Sequence, residues 1–152
     1  MTTLAFRPYS SADLEPCLAL FDRNSPANFA ANERADYERF LRDRAPGYRV
    51  CETDSQIVGA FGLIEESGAC RVQWIMISPQ LQRAGLGTAM MTEALAQARR
   101  RGARALLIAA SHKSAPFFAR FGARTVRDTP DGWGPGMHRI DMRLELATTA
   151  EP

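Results

Sequence analysis

Apolar positions along this chain follow two periods, and the switches between them mark out the elements. "TTLAFRP" (2–8) reads as a first strand. Leu14, Cys17, Leu18 and Phe21 then recur at i, i+3, i+4 and i+7, one face of a helix. Ser10 to Asp13 forms a capping-box pattern before it, with Asp in place of Glu or Gln. Pro16 fits that helix only within its first turn. "NSPAN" breaks the helix, and a second one begins near Asn32, with Tyr37, Phe40 and Leu41 as its apolar face, until "APG" (45–47) stops it.

The period then changes to two. "YRVCET" (48–53), a turn at Asp54-Ser55, "IVGAFGLIEE" (57–66), a turn at Ser67-Gly68 and "ACRVQWIMIS" (69–78) predict an antiparallel meander. "QLQRAGLGTAMM" (80–91) follows and leads into a helix running to about Arg101, with a stripe of Met91, Ala94, Leu95 and Ala98, closed by Gly102. "RALLIAAS" (104–111) is apolar throughout, as for a strand buried on both faces. A short helix over 114–121, a strand over 124–128, a loop over 129–136 and a strongly alternating strand over 137–146 complete the pattern. About seven strands and four helices, first antiparallel and then separated by helices, predict a mixed α/β (α+β) sheet. The fold is expected as one domain over 1–146, with 147–152 as a flexible tail.

Composition changes this picture little. Apolar residues make up 45% and charged residues 24% of 152 positions, which suits a soluble globular domain large enough for a real core. A formal charge of +2 is too small to call for a nucleic-acid or membrane partner. "RRR" (99–101) falls at a helix end, where the dipole favours cations. Cys17, Cys51 and Cys70 have no metal-binding spacing and are odd in number, which fits a reducing cytoplasm and no metal site. The opening "MTTLAFRPYS" has no basic head followed by an apolar stretch, so no signal peptide is expected, and no apolar run is long enough to span a bilayer.

Candidate chemistry gathers at the glycine turn. Gly85 and Gly87 allow close approach of a ligand to the backbone, and the helix after them opens with unpaired N–H groups, so strand, turn and helix together suit a phosphate or pyrophosphate. Arg83 adds a charge-assisted donor. There is no Lys-Ser/Thr for a Walker A loop, and the third glycine of a dinucleotide motif is replaced by Met90.

Gln82-Arg83-Ala84-Gly85-Leu86-Gly87 resembles the Q/R-x-x-G-x-G/A acyl-CoA loop of the GNAT N-acetyltransferase superfamily. "ASHKSAPFFARFGA" (110–123) resembles that family's fifth strand and following helix, and "FRPYSSADLEPCLALF" its opening strand and helix, so the resemblance spans about 3–146. It implies a seven-stranded, mostly antiparallel sheet splayed between strands 4 and 5, binding acetyl-CoA as co-substrate. The main chain of Ile75, Met76 and Ile77 would hold the pantetheine arm, with an N–H near Met76 or Ile77 polarising the thioester carbonyl. Gln82, Arg83, Ala84, Gly85, Leu86, Gly87 and Thr88 would clasp the pyrophosphate, and Ser111 stands where many members place a cofactor-touching Asn.

The resemblance further implies direct attack of a primary amine, either a small molecule or a peptide N-terminus, on acetyl-CoA. The family's usual acid, a tyrosine, falls on Phe118, and positions where some relatives carry a glutamate base hold Arg71 and Leu106. Ser111, Ser114, His112 or water would then protonate the thiolate. Glu33 is the first candidate base, although a first-turn glutamate also satisfies a helix dipole. Phe29, Trp74 and Trp133 would wall the acceptor site. His138 shares parity with Ile140 and Met142, which fits a hydrogen-bonded core histidine as well as a substrate-binding one. The alternative function is an acyl-CoA-binding sensor or assembly module with little catalysis, which Phe118 favours. A homodimer is common among such proteins.

Overall fold

The structure, a computed structural model, describes residues 4–25, 29–81 and 85–146. Among these the chain builds seven strands and four α-helices: β1 (Ala5–Pro8), α1 (Leu14–Asn24), α2 (Glu33–Arg42), β2 (Tyr48–Thr53), β3 (Gln56–Glu66), β4 (Ala69–Ile77), α3 (Leu86–Arg100), β5 (Ala105–Ser111), α4 (Ala115–Ala119), β6 (Arg124–Gly134) and β7 (Met137–Glu145). All lie in one sheet of order β1-β2-β3-β4-β5-β7-β6. Every neighbouring pair is antiparallel except β4 and β5, which are parallel and joined through α3.

The expected meander is present. Asp54 and Ser55 both take positive φ, as do Ser67 and Gly68, which lets two-residue turns match the twist of the strands they join. Ahead of α1, the Ser10 N–H donates to Asp13 Oδ2 at 2.9 Å, and Arg7 clamps the same carboxylate through two nitrogens at 2.8 and 2.9 Å. Pro16 falls in the first turn of α1, where its missing N–H costs nothing.

Two cores sandwich the sheet. On one face α1 and α2 bring Cys17, Leu20, Phe21, Tyr37 and Leu41 onto Val50, Ala60 and Met76. On the other, Met90, Met91, Ala94 and Phe118 from α3 and α4 cover Phe61, Leu63, Leu106, Ile108, Ile140 and Met142. Because α1 and α2 lie over β2 to β4, the same face of β5 and β7 stays open, and Leu107, Ala109, Arg139, Asp141 and Arg143 are half-buried there.

Of the segment expected as a loop at 129–136, residues 129–134 belong instead to an eleven-residue β6, and Pro135 and Gly136 turn into β7. β6 is an edge strand paired only with β7, so little of it is buried and no alternation marks it. An edge also tolerates Pro130. The described part of the first strand is shorter than the expected 2–8, and α4 is shorter than 114–121. No described helix is long and apolar enough to cross a membrane. The three cysteines are buried and unbridged.

Candidate active site

Among the described residues, β4 and β5 pair only at Cys70–Leu106 and Arg71–Leu107, after which they diverge. A bulge in β4 accompanies the separation. Phe61 of β3 is opposed by two residues, Trp74 and Ile75, and Trp74 takes φ +49°. The extra residue shifts the apolar parity of the strand. Cys70 and Val72 face the α3 side before it, and Ile75 and Ile77 face that side after it. The carbonyl of Trp74 accepts a 2.7 Å hydrogen bond from the Tyr48 hydroxyl, itself 2.8 Å from the Tyr37 hydroxyl, so the bulge is pinned from the core.

The bulge also decides which amides face the gap. The N–H of Ser78 donates to the carbonyl of Val58 at 2.7 Å. By the alternation of an antiparallel ladder, Met76 likewise turns its N–H to β3, whereas Ile77 turns its polar groups outward. The carbonyl of Ile77 indeed meets Asn24 Nδ2 at 3.1 Å rather than β3. Of the two expected oxyanion donors, Ile77 therefore has the open N–H and Met76 does not.

The gap opens a cleft of about 450 Å³. At one end lies the first turn of α3. Gly85 precedes it with φ +83°, a conformation that suits glycine, and Gly87 admits the Phe117 ring to within 2.7 Å of where a Cβ would sit. The amides of Leu86, Gly87 and Thr88 have no partner within a helix that starts at Leu86. Leu86 is itself buried in the core and Thr88 is exposed, so neither offers a side chain to the cleft. Gln82, Arg83 and Ala84 lie outside the described residues.

Phe118 and Ser111 line the middle of the cleft. Phe118 is buried, with its ring edge-on to Phe117 at 5.1 Å. The Ser111 hydroxyl accepts the N–H groups of Lys113 and Ser114 at 3.2 and 3.1 Å, so it ties the end of β5 to the start of α4. That local bonding is what a serine before a helix ordinarily provides.

At the other end stand Phe29, Trp74, Trp133 and Glu33. Phe29 and Trp74 belong to a run of rings, 6.2 Å apart, that continues into Phe21 and Tyr37. Trp133 donates its indole N–H to the carbonyl of Ala110 at 2.9 Å. Glu33 is only 5% exposed, accepts the N–H of Ala30 at 2.8 Å, and is pushed by burial up to a pKa of about 7. His138, by contrast, is neither a core histidine nor one of the cleft-lining residues. Its Nδ1 accepts the N–H of Asp131, and its ring lies 4.6 Å from that of His112, tilted by 43°. Parity fails there because the β6 register shifts between Thr129 and Gly134.

The match to the family model for the acetyltransferase (GNAT) domain covers residues 17–146. The chain belongs to the GNAT acetyltransferase family. No curated protein matches it. Among solved structures, a GNAT-family protein from Desulfovibrio desulfuricans superposes at a TM-score of 0.79 with 24% identity, over 95% of this chain and 100% of that one. The Escherichia coli ribosomal-protein-S18-alanine N-acetyltransferase gives 0.78 at 15% identity, over 98% and 97%. A Salmonella typhimurium protein solved with its cofactor acetyl-CoA gives 0.72 at 16%, over 99% and 98%. These likenesses establish the GNAT fold, with the mostly antiparallel seven-stranded sheet as expected and β4 and β5 as its parallel pair.

Cationic groups in the cleft escaped the sequence reading. Lys113, Arg120 and Arg139 line it beside Arg71, against one carboxylate, Glu33. Arg139 sits on the polar parity of β7, which reads as solvent-facing although that face of β5 and β7, left uncovered by α1 and α2, lines the cleft. Among the described residues no cluster of His, Cys, Asp or Glu could hold a metal ion.

Proposed function

We propose that this GNAT domain transfers the acetyl group of acetyl-CoA to a primary amine by direct attack. The observation that carries the reading is a carboxylate, Glu33, buried at the acceptor end of a cleft made by the divergence of β4 and β5. The cleft residues fit the co-substrate. The open edge of β4 beyond its pairing with β5 suits the pantetheine arm, and the first-turn amides of α3 suit the diphosphate. Acetyl-CoA itself supplies an activated thioester.

The remaining steps fall to residues of this chain and to solvent. The Ile77 N–H receives the thioester oxygen as it gains charge. Phe29, Trp74 and Trp133 exclude water around the amine. Glu33 takes the proton that the nitrogen must lose as the C–N bond forms and the C–S bond breaks, and a pKa of about 7 suits that task near neutrality. Phe118 gives the departing thiolate no proton, so solvent supplies it. A thiol with a pKa of about 8.5 is a tolerable leaving group without help.

A second reading rests on Phe118: a module that binds acyl-CoA and hardly turns it over, as a sensor or assembly partner. Thiol release from acetyl-CoA across an amine panel separates the two. Turnover that falls about 10²–10⁴-fold in Glu33→Gln supports the transferase, and saturable binding with no amine-dependent release supports the binder. In the transferase reading Phe118→Tyr raises the rate of thiol release, and an unchanged or lower rate in a folded variant removes Phe118 from the leaving-group position.

A further inference from the structure

The acceptor end of the cleft holds a cation that the transfer chemistry does not use. Arg139 projects from β7 opposite Ser111 and lines the cleft, with its guanidinium 4.9 Å from the centre of the Trp133 ring. Asp141 holds it from one side, accepting from Nε at 3.1 Å and standing 3.0 Å from Nη2. Stacked on an indole and clamped by a carboxylate, the guanidinium is fixed in place. Among the described residues nothing accepts from its Nη1.

Its position relative to Glu33 follows from a short chain of contacts. Trp133, under Arg139, presents its carbonyl to Asn32 Nδ2 at 2.9 Å, and Asn32 immediately precedes Glu33. Gly134 is so close to Ala30 and Asn32 that an added Cβ would lie 3.1 Å from the Ala30 methyl. Ala30 donates its N–H to Glu33. The β6–β7 hairpin and the start of α2 thus form one continuous wall of the cleft that carries both the carboxylate and the guanidinium.

Two of the other cleft cations are engaged elsewhere. Arg71 is held through Nε and Nη2 by Glu66 at 2.9 and 3.0 Å. Arg120 lies 5.5 Å over the Phe117 ring that packs on Gly87, the diphosphate end, and Lys113 is exposed just ahead of α4.

From this geometry, and resting on the acyl-transfer reading, we infer that the acceptor is an amine that also carries a carboxylate, an amino acid with an apolar side chain. Its nitrogen lies at Glu33, its carboxylate takes Nη1 of Arg139, and its side chain lies among Phe29, Trp74 and Trp133. Arg139 is then a specificity-determining residue.

Matched pairs test it: phenylalanine against phenethylamine, and leucine against 3-methylbutylamine, with thiol release as readout. The carboxylate member should have a kcat/KM about ten- to a hundredfold higher, the worth of one charge-assisted bond. Arg139→Gln should abolish that ratio mainly through KM, while Arg139→Lys, keeping the charge but not the fork, restores part of it. Equal or better turnover of the decarboxylated amines, or a ratio unchanged in a folded Arg139→Gln variant, overturns the inference and leaves amine transfer standing. A binding arm works without turnover, comparing N-acetylphenylalanine with N-acetylphenethylamine on the CoA-loaded protein. Carboxylate-dependent, Arg139-dependent binding with no thiol release would uphold the anion site while removing the transferase reading. No carboxylate dependence in either arm removes the inference.

Discussion

Glu33 serves two purposes that pull its chemistry in different directions. Its carboxylate accepts the Ala30 N–H at the start of α2, as a first-turn glutamate ordinarily does, and it also lines the cleft with little water around it. Burial raises its pKa from 4.5 to about 7. A carboxyl group raised on folding holds its proton more firmly in the folded state. Its contribution to stability is therefore greatest below the ordinary carboxylate range and is lost as pH climbs through about 7, by about 3 kcal/mol in all. Glu33→Gln removes that loss. Urea unfolding should find the variant about 1–3 kcal/mol more stable than the parent at pH 8 and nearly equal to it at pH 4. The same substitution should erase the rise of kcat/KM with pH centred near 7. Sequence alone could name this residue but not choose between its roles, because a helix-start glutamate looks the same whether its far side faces water or a cavity. His138 failed for a related reason, since parity assumes an unbroken register.

The decisive element is β4. Its apolar run was legible as a strand, and so were both hairpin turns, because those depend on neighbours in sequence. The bulge at Trp74 was not, because it depends on Tyr48 of β2 donating its hydroxyl across the core to a carbonyl left without a ladder partner. Tyr48→Phe removes that donor and strands a buried carbonyl. The expected cost is about 1–3 kcal/mol, read by urea unfolding. The affinity for acetyl-CoA should fall as well, since the displaced register is what turns Ile77 outward; unaltered affinity in the folded variant would mean the bulge holds without its tyrosine. The β6 segment shows the converse. Residues 129–136 contain two prolines, and their pairing to β7 comes from the partner strand rather than from any pattern of their own.

At the scale of the whole molecule, the order of elements and the two-sided sheet could be read from periodicity, because each face needs its own set of apolar residues. What periodicity does not carry is which helices lie over which strands. With α1 and α2 on β2 to β4, the same face of β5 and β7 stays open, and Arg139 of β7 lines a cavity rather than only a surface. The parallel pair has a mechanical consequence. The two halves of the sheet, β1 to β4 and β5 to β7, are joined across the middle at just two residue pairs among the described residues. A thioester arm inserted there would act as a missing strand and rivet the halves together. Deuterium uptake at the outward amide of Ile77 should then slow when acetyl-CoA is added, while the amide of Met76, already engaged with β3, keeps its original rate.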